Sequence, residues 1–269
     1  MKYLVLCFIF CQSCASYMGA KKYSVVENIY YTGEQQERLK GEIYVPDSGP
    51  APGVILVHGG GWQLRDLGDM QSIAKSLASH GFAVFNINYR LAPEFKHPAP
   101  IDDLDKARTF FVTNAKKYNL DPEQLAVWGY SSGGHTVSYY ALKNPDKVKA
   151  VVTGGAPYDF TWYTHSPYIS KYLGKFRDEA LKEYQQASPS YIIPDKAPNF
   201  FIYHAINDKL VEYAQAMAFE AKLLEKKVPV RHYDVSFWGH GNAFAFSDEA
   251  VKQSILFLKN EFKTTAVSH

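Results

Sequence analysis

The segment Gly129-Tyr130-Ser131-Ser132-Gly133-Gly134 directly follows the apolar run Leu125–Trp128 and opens a helix-length stretch. As a string of letters G-x-S-x-G is a weak signal; between a strand and a helix it is a strong one. So tight a turn needs glycine on both sides, and it lifts the central hydroxyl above the sheet. Amides at the start of the following helix then face any negative charge that develops there. Ser131 is the candidate nucleophile for acyl transfer, and Ser132 supplies a backbone N–H beside it.

Acyl transfer also needs preorganised donors around a tetrahedral oxyanion, and bare glycine amides approach one closely. The run His58-Gly59-Gly60-Gly61-Trp62, immediately after the apolar Val54–Val57, can provide them. The expected oxyanion hole is built from the amides of Gly60, Gly61 and Ser132. A phosphate cradle is the competing reading of a glycine-rich loop. Neither G-x-x-x-x-G-K-[ST] nor G-x-G-x-x-G is present to support it.

A base and its orienting acid complete the set. Of nine histidines, His240 lies in Phe237-Trp238-Gly239-His240-Gly241-Asn242, between the last apolar run and the last helical segment. Its flanking glycines predict a loop that presents the imidazole. Asp208 comes just past the run Phe200–Tyr203, which gives the chain order Ser, Asp, His. His204 and His135 are expected to be packed or supporting. Trp62, Tyr130 and Trp238, like Trp162 and Tyr163, adjoin these segments. Two readings stand for each: lining a substrate pocket, or filling the core.

Positioning these groups requires a sheet whose strand ends meet. Strands are predicted at Ser24–Tyr31 and Leu39–Val45. Further runs follow at Val54–Val57, Ala83–Ile87, Leu125–Trp128, Val148–Thr153, Phe200–Tyr203 and Val230–Val235. Between most of the later runs lie candidate helices: Asp69–Ser79, Ile101–Lys117, Ser132–Lys143, Tyr213–Lys226 and Asp248–Phe262. Continuous apolar strands alternating with helices predict an α/β fold, its mostly parallel sheet covered on both faces. Residues 156–196 break the alternation with only short helical stretches, notably Asp178–Gln186. A long insertion of this kind is expected to form a cap. With no repeat or linker in sight, residues 17–269 are taken as one domain.

The chain has 269 residues, 46% of them hydrophobic, enough for a sizeable core without staples. Its formal charge of +2 is spread out, so there is no electrostatic footprint for nucleic acid. The three cysteines, Cys7, Cys11 and Cys14, all lie near the start, where Lys2 is followed by apolar Tyr3–Phe10 and then Gln12-Ser13-Cys14-Ala15-Ser16. That order reads as an export signal over residues 1–16. The run is well short of the roughly 20 residues a spanning helix needs. Two processing outcomes stand open. Cleavage near Ser16 releases a soluble form, and cleavage before Cys14 leaves a cysteine for a lipid anchor. Either way the protein is expected to be exported.

The chain resembles the hormone-sensitive-lipase and feruloyl-esterase-like branch of the α/β-hydrolases. The likeness rests on the HGG-type loop, on Asn88-Tyr89-Arg90-Leu91-Ala92-Pro93-Glu94, on Pro100-Ile101-Asp102-Asp103 and on the block Ala126–His135. It extends over about residues 38–262. It departs at Ser132, where the branch commonly has Ala. The resemblance implies a cofactor-free esterase acting on small carboxylic esters, acetyl or feruloyl esters of carbohydrates included. Arg90, Asp102 and Asp103 match branch positions, and an ion pair or a helix cap is the expected role. Arylformamidases share a similar loop, so an amide substrate is the first alternative. A non-catalytic binding protein on the same fold is the second.

Overall fold

A computed structural model describes residues 21–33, 39–236, 239–246 and 248–265. These build one eight-stranded sheet in the order β1-β2-β4-β3-β5-β6-β7-β8. Strands β1 (Tyr23–Tyr30) and β2 (Lys40–Pro46) run antiparallel at one edge. The other six are parallel: β3 (Ala51–Val57), β4 (Ala83–Ile87), β5 (Leu120–Tyr130), β6 (Ala150–Gly154), β7 (Asn199–Ala205) and β8 (Val230–Val235).

Alternate side chains of each strand point to opposite faces, so the apolar strands feed two cores. One contains Ile55, Phe85, Val127, Val151 and Ile202. It is covered by α2 (Ala99–Thr113), α3 (Ser132–Lys143) and α6 (Tyr213–Glu225). The other contains Val54, Leu56, Val84, Trp128 and Val152, under α1 (Gln71–Ser79) and α8 (Asp248–Thr265). All five residues of β4, and likewise of β6, are buried, as strands covered on both faces must be.

The insertion holds short helical stretches, as its sequence pattern suggested. It carries α4 (Pro167–Leu173) and α5 (Leu181–Gln186), with short 3-10 turns at Phe160–Trp162, Arg177–Glu179 and Pro189–Tyr191. The expected helix Asp178–Gln186 is thus split into a 3-10 turn and α5. Helix α4 starts at Ser166, whose hydroxyl accepts from the Ile169 amide, and stops at Gly174 in the left-handed conformation. That Ser-Pro start and Gly stop are ordinary helix signals, hidden by the shortness of the segment. Phe160, Ile169, Tyr172 and Tyr184 anchor the cap in the first core.

Registry decides where the functional loops emerge. Val57 of β3 pairs with Gly129 of β5, and Tyr130 pairs with Gly154 of β6. The glycine run after β3 and the serine turn after β5 therefore leave the sheet side by side.

Candidate active site

Ser131 occupies the turn between β5 and α3 with φ 54° and ψ −122°, a costly conformation for a residue with a side chain. Its amide donates to the Gly154 carbonyl at 2.7 Å, and its carbonyl accepts from the His135 amide at 3.0 Å. The tightness is visible at Gly133, where a Cβ would stand 2.2 Å from the Val57 carbonyl oxygen. Only glycine lets the first turn of α3 approach β3 so closely.

The structure brings Ser131, His240 and Asp208 into one chain of hydrogen bonds. His240 Nε2 lies 2.9 Å from Ser131 Oγ, and its Nδ1 lies 2.6 Å from Asp208 Oδ2. The other carboxylate oxygen, Oδ1, accepts from the amides of Leu210 and Val211, each at 2.9 Å. Burial alone would raise the Asp208 pKa. Hydrogen bonds from His204, His240 and Val211 overcome that and hold it well below the usual carboxylate range. An ionised carboxylate can only accept, so the proton sits on His240 Nδ1 and the Nε2 lone pair faces the serine hydroxyl.

His204 supports the acid and has no direct contact with the serine. Its Nε2 donates to the Val211 carbonyl at 2.8 Å and lies 3.5 Å from Asp208 Oδ2. His135 is fully buried, with Nε2 donating to the Ala187 carbonyl at 2.8 Å. The expectation of a loop around His240 needs correction: this residue is the first of a short helix, α7 (His240–Phe246).

In the glycine run, Gly60 has φ 105° and Gly61 φ 62°. The Gly59 carbonyl faces His58 Nδ1 at 2.7 Å, and the Gly60 carbonyl accepts from the amides of Gln63 and Leu64. A trans peptide sets its N–H opposite its C=O. The amides of Gly60 and Gly61 therefore point away from these partners, and neither is bonded to a described residue. The Ser132 amide is likewise set opposite the Ser131 carbonyl that α3 uses. All three residues line a cleft of about 500 Å3 that also holds Ser131 and His240.

The aromatic neighbours divide. Trp62 lines the cleft while its indole packs into the core: it is 2% exposed and donates to Thr136 Oγ1 at 3.3 Å. Tyr130 likewise lines the cleft and is buried, with its hydroxyl donating to the His240 carbonyl at 2.6 Å. Trp238 lies outside the described residues, and Trp162 is exposed away from the cleft. Tyr163 lines the cleft too, and its hydroxyl is buried without a partner among the described residues. Nothing in the sequence pattern singled out the remaining wall, formed by Leu64, Tyr168, Ile169, Leu210, Val211 and Phe244. Arg90 and Asp103 form the expected ion pair, at 2.7 Å, while Asp102 is exposed. Among the described residues, no cluster of three or more His, Cys, Asp or Glu could hold a metal ion.

Comparison with known proteins gives this geometry a context. The family model BD-FAE matches residues 42–223, a span that takes in the glycine run, Ser131 and Asp208. The chain is 30% identical over 214 residues to the probable carboxylic ester hydrolase LipM of Mycobacterium tuberculosis, covering 72% of this chain and 50% of that protein. It is 26% identical over 227 residues to an arylesterase of Saccharolobus solfataricus, covering 76% of this chain and 71% of the relative. Of three curated relatives, LipM among them, the chain spans 50%, 32% and 37% of the length. A solved structure described as a truncated form of carbohydrate esterase from gut microbiota superposes with a TM-score of 0.80 at 22% identity. That likeness covers 91% of this chain and 98% of the other, and it concerns the fold. With the family model spanning most of the sheet and its connecting helices, the chain belongs to the BD-FAE family of α/β-hydrolases.

Proposed function

We propose that this protein is a carboxylic ester hydrolase working through an acyl-enzyme on Ser131. The observation that carries the reading is the unbroken hydrogen-bonded series Ser131–His240–Asp208 opening into the cleft. Ser131 Oγ attacks the ester carbonyl carbon while its proton passes to His240 Nε2. Asp208 holds the imidazole in the Nδ1–H tautomer and stabilises its charged form. The amides of Gly60, Gly61 and Ser132 take the oxyanion. Collapse of the tetrahedral species expels the alcohol, which leaves with the proton from His240. Water then attacks the acyl-serine with His240 again as base, releasing the acid and restoring the serine.

For the substrate we infer a small carboxylic ester, with acetyl or feruloyl esters of carbohydrates as the leading candidates. Supporting this are the resemblance described above and a cleft of about 500 Å3, large enough for a ring. An activity panel tests it: aryl esters of graded acyl length, acetylated and feruloylated sugars, and N-formyl aromatics. Ester turnover with fluorophosphonate labelling at Ser131 is expected. Turnover confined to the formyl amides would move the assignment to an amidase. Silence across the panel, with no labelling of folded protein, would leave a binding protein.

A further inference from the structure

We propose that Tyr130 is a positioning residue for the catalytic base. Its hydroxyl fixes the backbone of His240 against the strand that carries the nucleophile. The inference rests on the roles of Ser131 and His240 proposed above. Tyr130 is the last residue of β5 and the immediate neighbour of Ser131, whereas His240 is 110 residues further along the chain. The phenol donates to the His240 carbonyl at 2.6 Å, a short bond. Its ring packs 5.3 Å from the imidazole and 4.9 Å from Phe244 of α7, with Tyr203 of β7 on another side at 5.9 Å. Gly155 confines the phenol further, since a Cβ there would lie 2.8 Å from its Cζ and Oη.

One side chain therefore ties the backbone of the base to the residue preceding the nucleophile. The Ser131–His240 separation is thereby set by a rigid strand end and one hydrogen bond. Burial raises the pKa of this phenol well above its usual value, so it remains a donor throughout the working range of a histidine base. A tyrosine that merely filled space would need its ring and not its hydroxyl.

Tyr130→Phe separates the two roles because it keeps the ring. Positioning predicts that kcat falls roughly ten- to a hundredfold, the scale of a small misplacement of a reacting group. KM should stay within about twofold, and fluorophosphonate labelling of Ser131 should slow by the same factor as kcat. Tyr203→Phe, which also removes a buried phenol hydroxyl beside β5, should leave kcat unchanged. Unaltered kcat in Tyr130→Phe overturns the proposal, as does a loss seen only in KM or an equal loss in Tyr203→Phe. A Tyr130→Phe protein that cannot fold overturns it as well, by making the hydroxyl a folding determinant. Ser131→Ala and His240→Ala, measured alongside, separate this from the underlying reading. If those two retain turnover the reading itself fails, whereas normal turnover in Tyr130→Phe alone removes only the positioning role.

Discussion

The indole of Trp62 lies parallel to the ring of Tyr172, with 4.3 Å between centroids and 2° between planes. Trp62 ends the glycine run, and Tyr172 belongs to cap helix α4. The stack fastens the loop bearing the expected oxyanion donors to the cap. Tyr168 adds a second fastening, since its carbonyl accepts from Gln63 Nε2 at 3.2 Å and its ring crowds Gly61. Trp62→Ala should cost about 3–5 kcal/mol, the range for emptying a buried tryptophan site. Urea unfolding measures it, and a change under about 1 kcal/mol would contradict the packing described.

Removing the proposed nucleophile gives the sharpest activity test. Ser131→Ala should lower kcat by about six orders of magnitude. Asp208→Asn should cost roughly four, through the wrong histidine tautomer. Near-normal turnover in a folded Ser131→Ala protein would remove the proposed mechanism altogether.

The histidines should separate in the same assay. His240→Ala should abolish turnover at neutral pH. His204→Ala should keep substantial activity, because His204 reaches the site only through Asp208 and the Val211 carbonyl. An indispensable His204 beside a dispensable His240 would mean that the base has been misidentified.

Stability should fall as the solution is acidified, beginning near pH 6.5, where unfolded histidine takes up its proton. Burial pushes the His135 imidazole down to about 3. Burial, with a contribution from Lys143, pushes His97 down to about 4. Between those values and about 6.5 the unfolded chain binds protons that the folded one refuses. Each group then removes up to about 1.4 kcal/mol per pH unit. The depressed carboxyl of Asp208 adds a further loss below about pH 4, where only its unfolded form protonates. His135→Gln should flatten the upper part of the curve, as read from urea midpoints at about pH 7 and about pH 5. Equal pH slopes in parent and variant would exclude His135 as a source.

Export of the protein remains a proposal resting on residues 1–16, which lie outside the described residues. Intact mass from the native host is the measurement. A start at Cys14 with added acyl mass is expected for the anchored form, and a start beyond Ser16 for the soluble one. An unprocessed Met1 in a cytosolic fraction would refute both. No described helix is long and apolar enough to cross a membrane.

What could be read from the chain was whatever local chemistry constrains. The serine turn and the glycine run are fixed by neighbours one or two residues away, the order Ser, Asp, His was read from where each residue stands after a strand, and the structure brings those three side chains together. The alternation of β3 to β7 with helices was legible because their buried stretches are largely apolar, whereas β8, at the sheet edge, is mostly part-exposed and carries Arg231, His232 and Asp234. Trp62 and Tyr130 were ambiguous because their partners, Tyr172 and the His240 carbonyl, are supplied by distant segments. The first residues of β5 were missed for the same reason. Leu120 and Asp121 become strand only by pairing with Ala51 and Pro52, across a register shift.

The hold on Asp208 also bears on how substrate preference could diverge. Its Oδ1 is gripped by the main-chain amides of Leu210 and Val211, and both residues line the cleft. A grip made by backbone places no demand on side-chain identity. Selection or design can therefore rewrite this wall at 210 and 211 while the carboxylate keeps both donors. Proline alone is barred there, because it has no N–H to give.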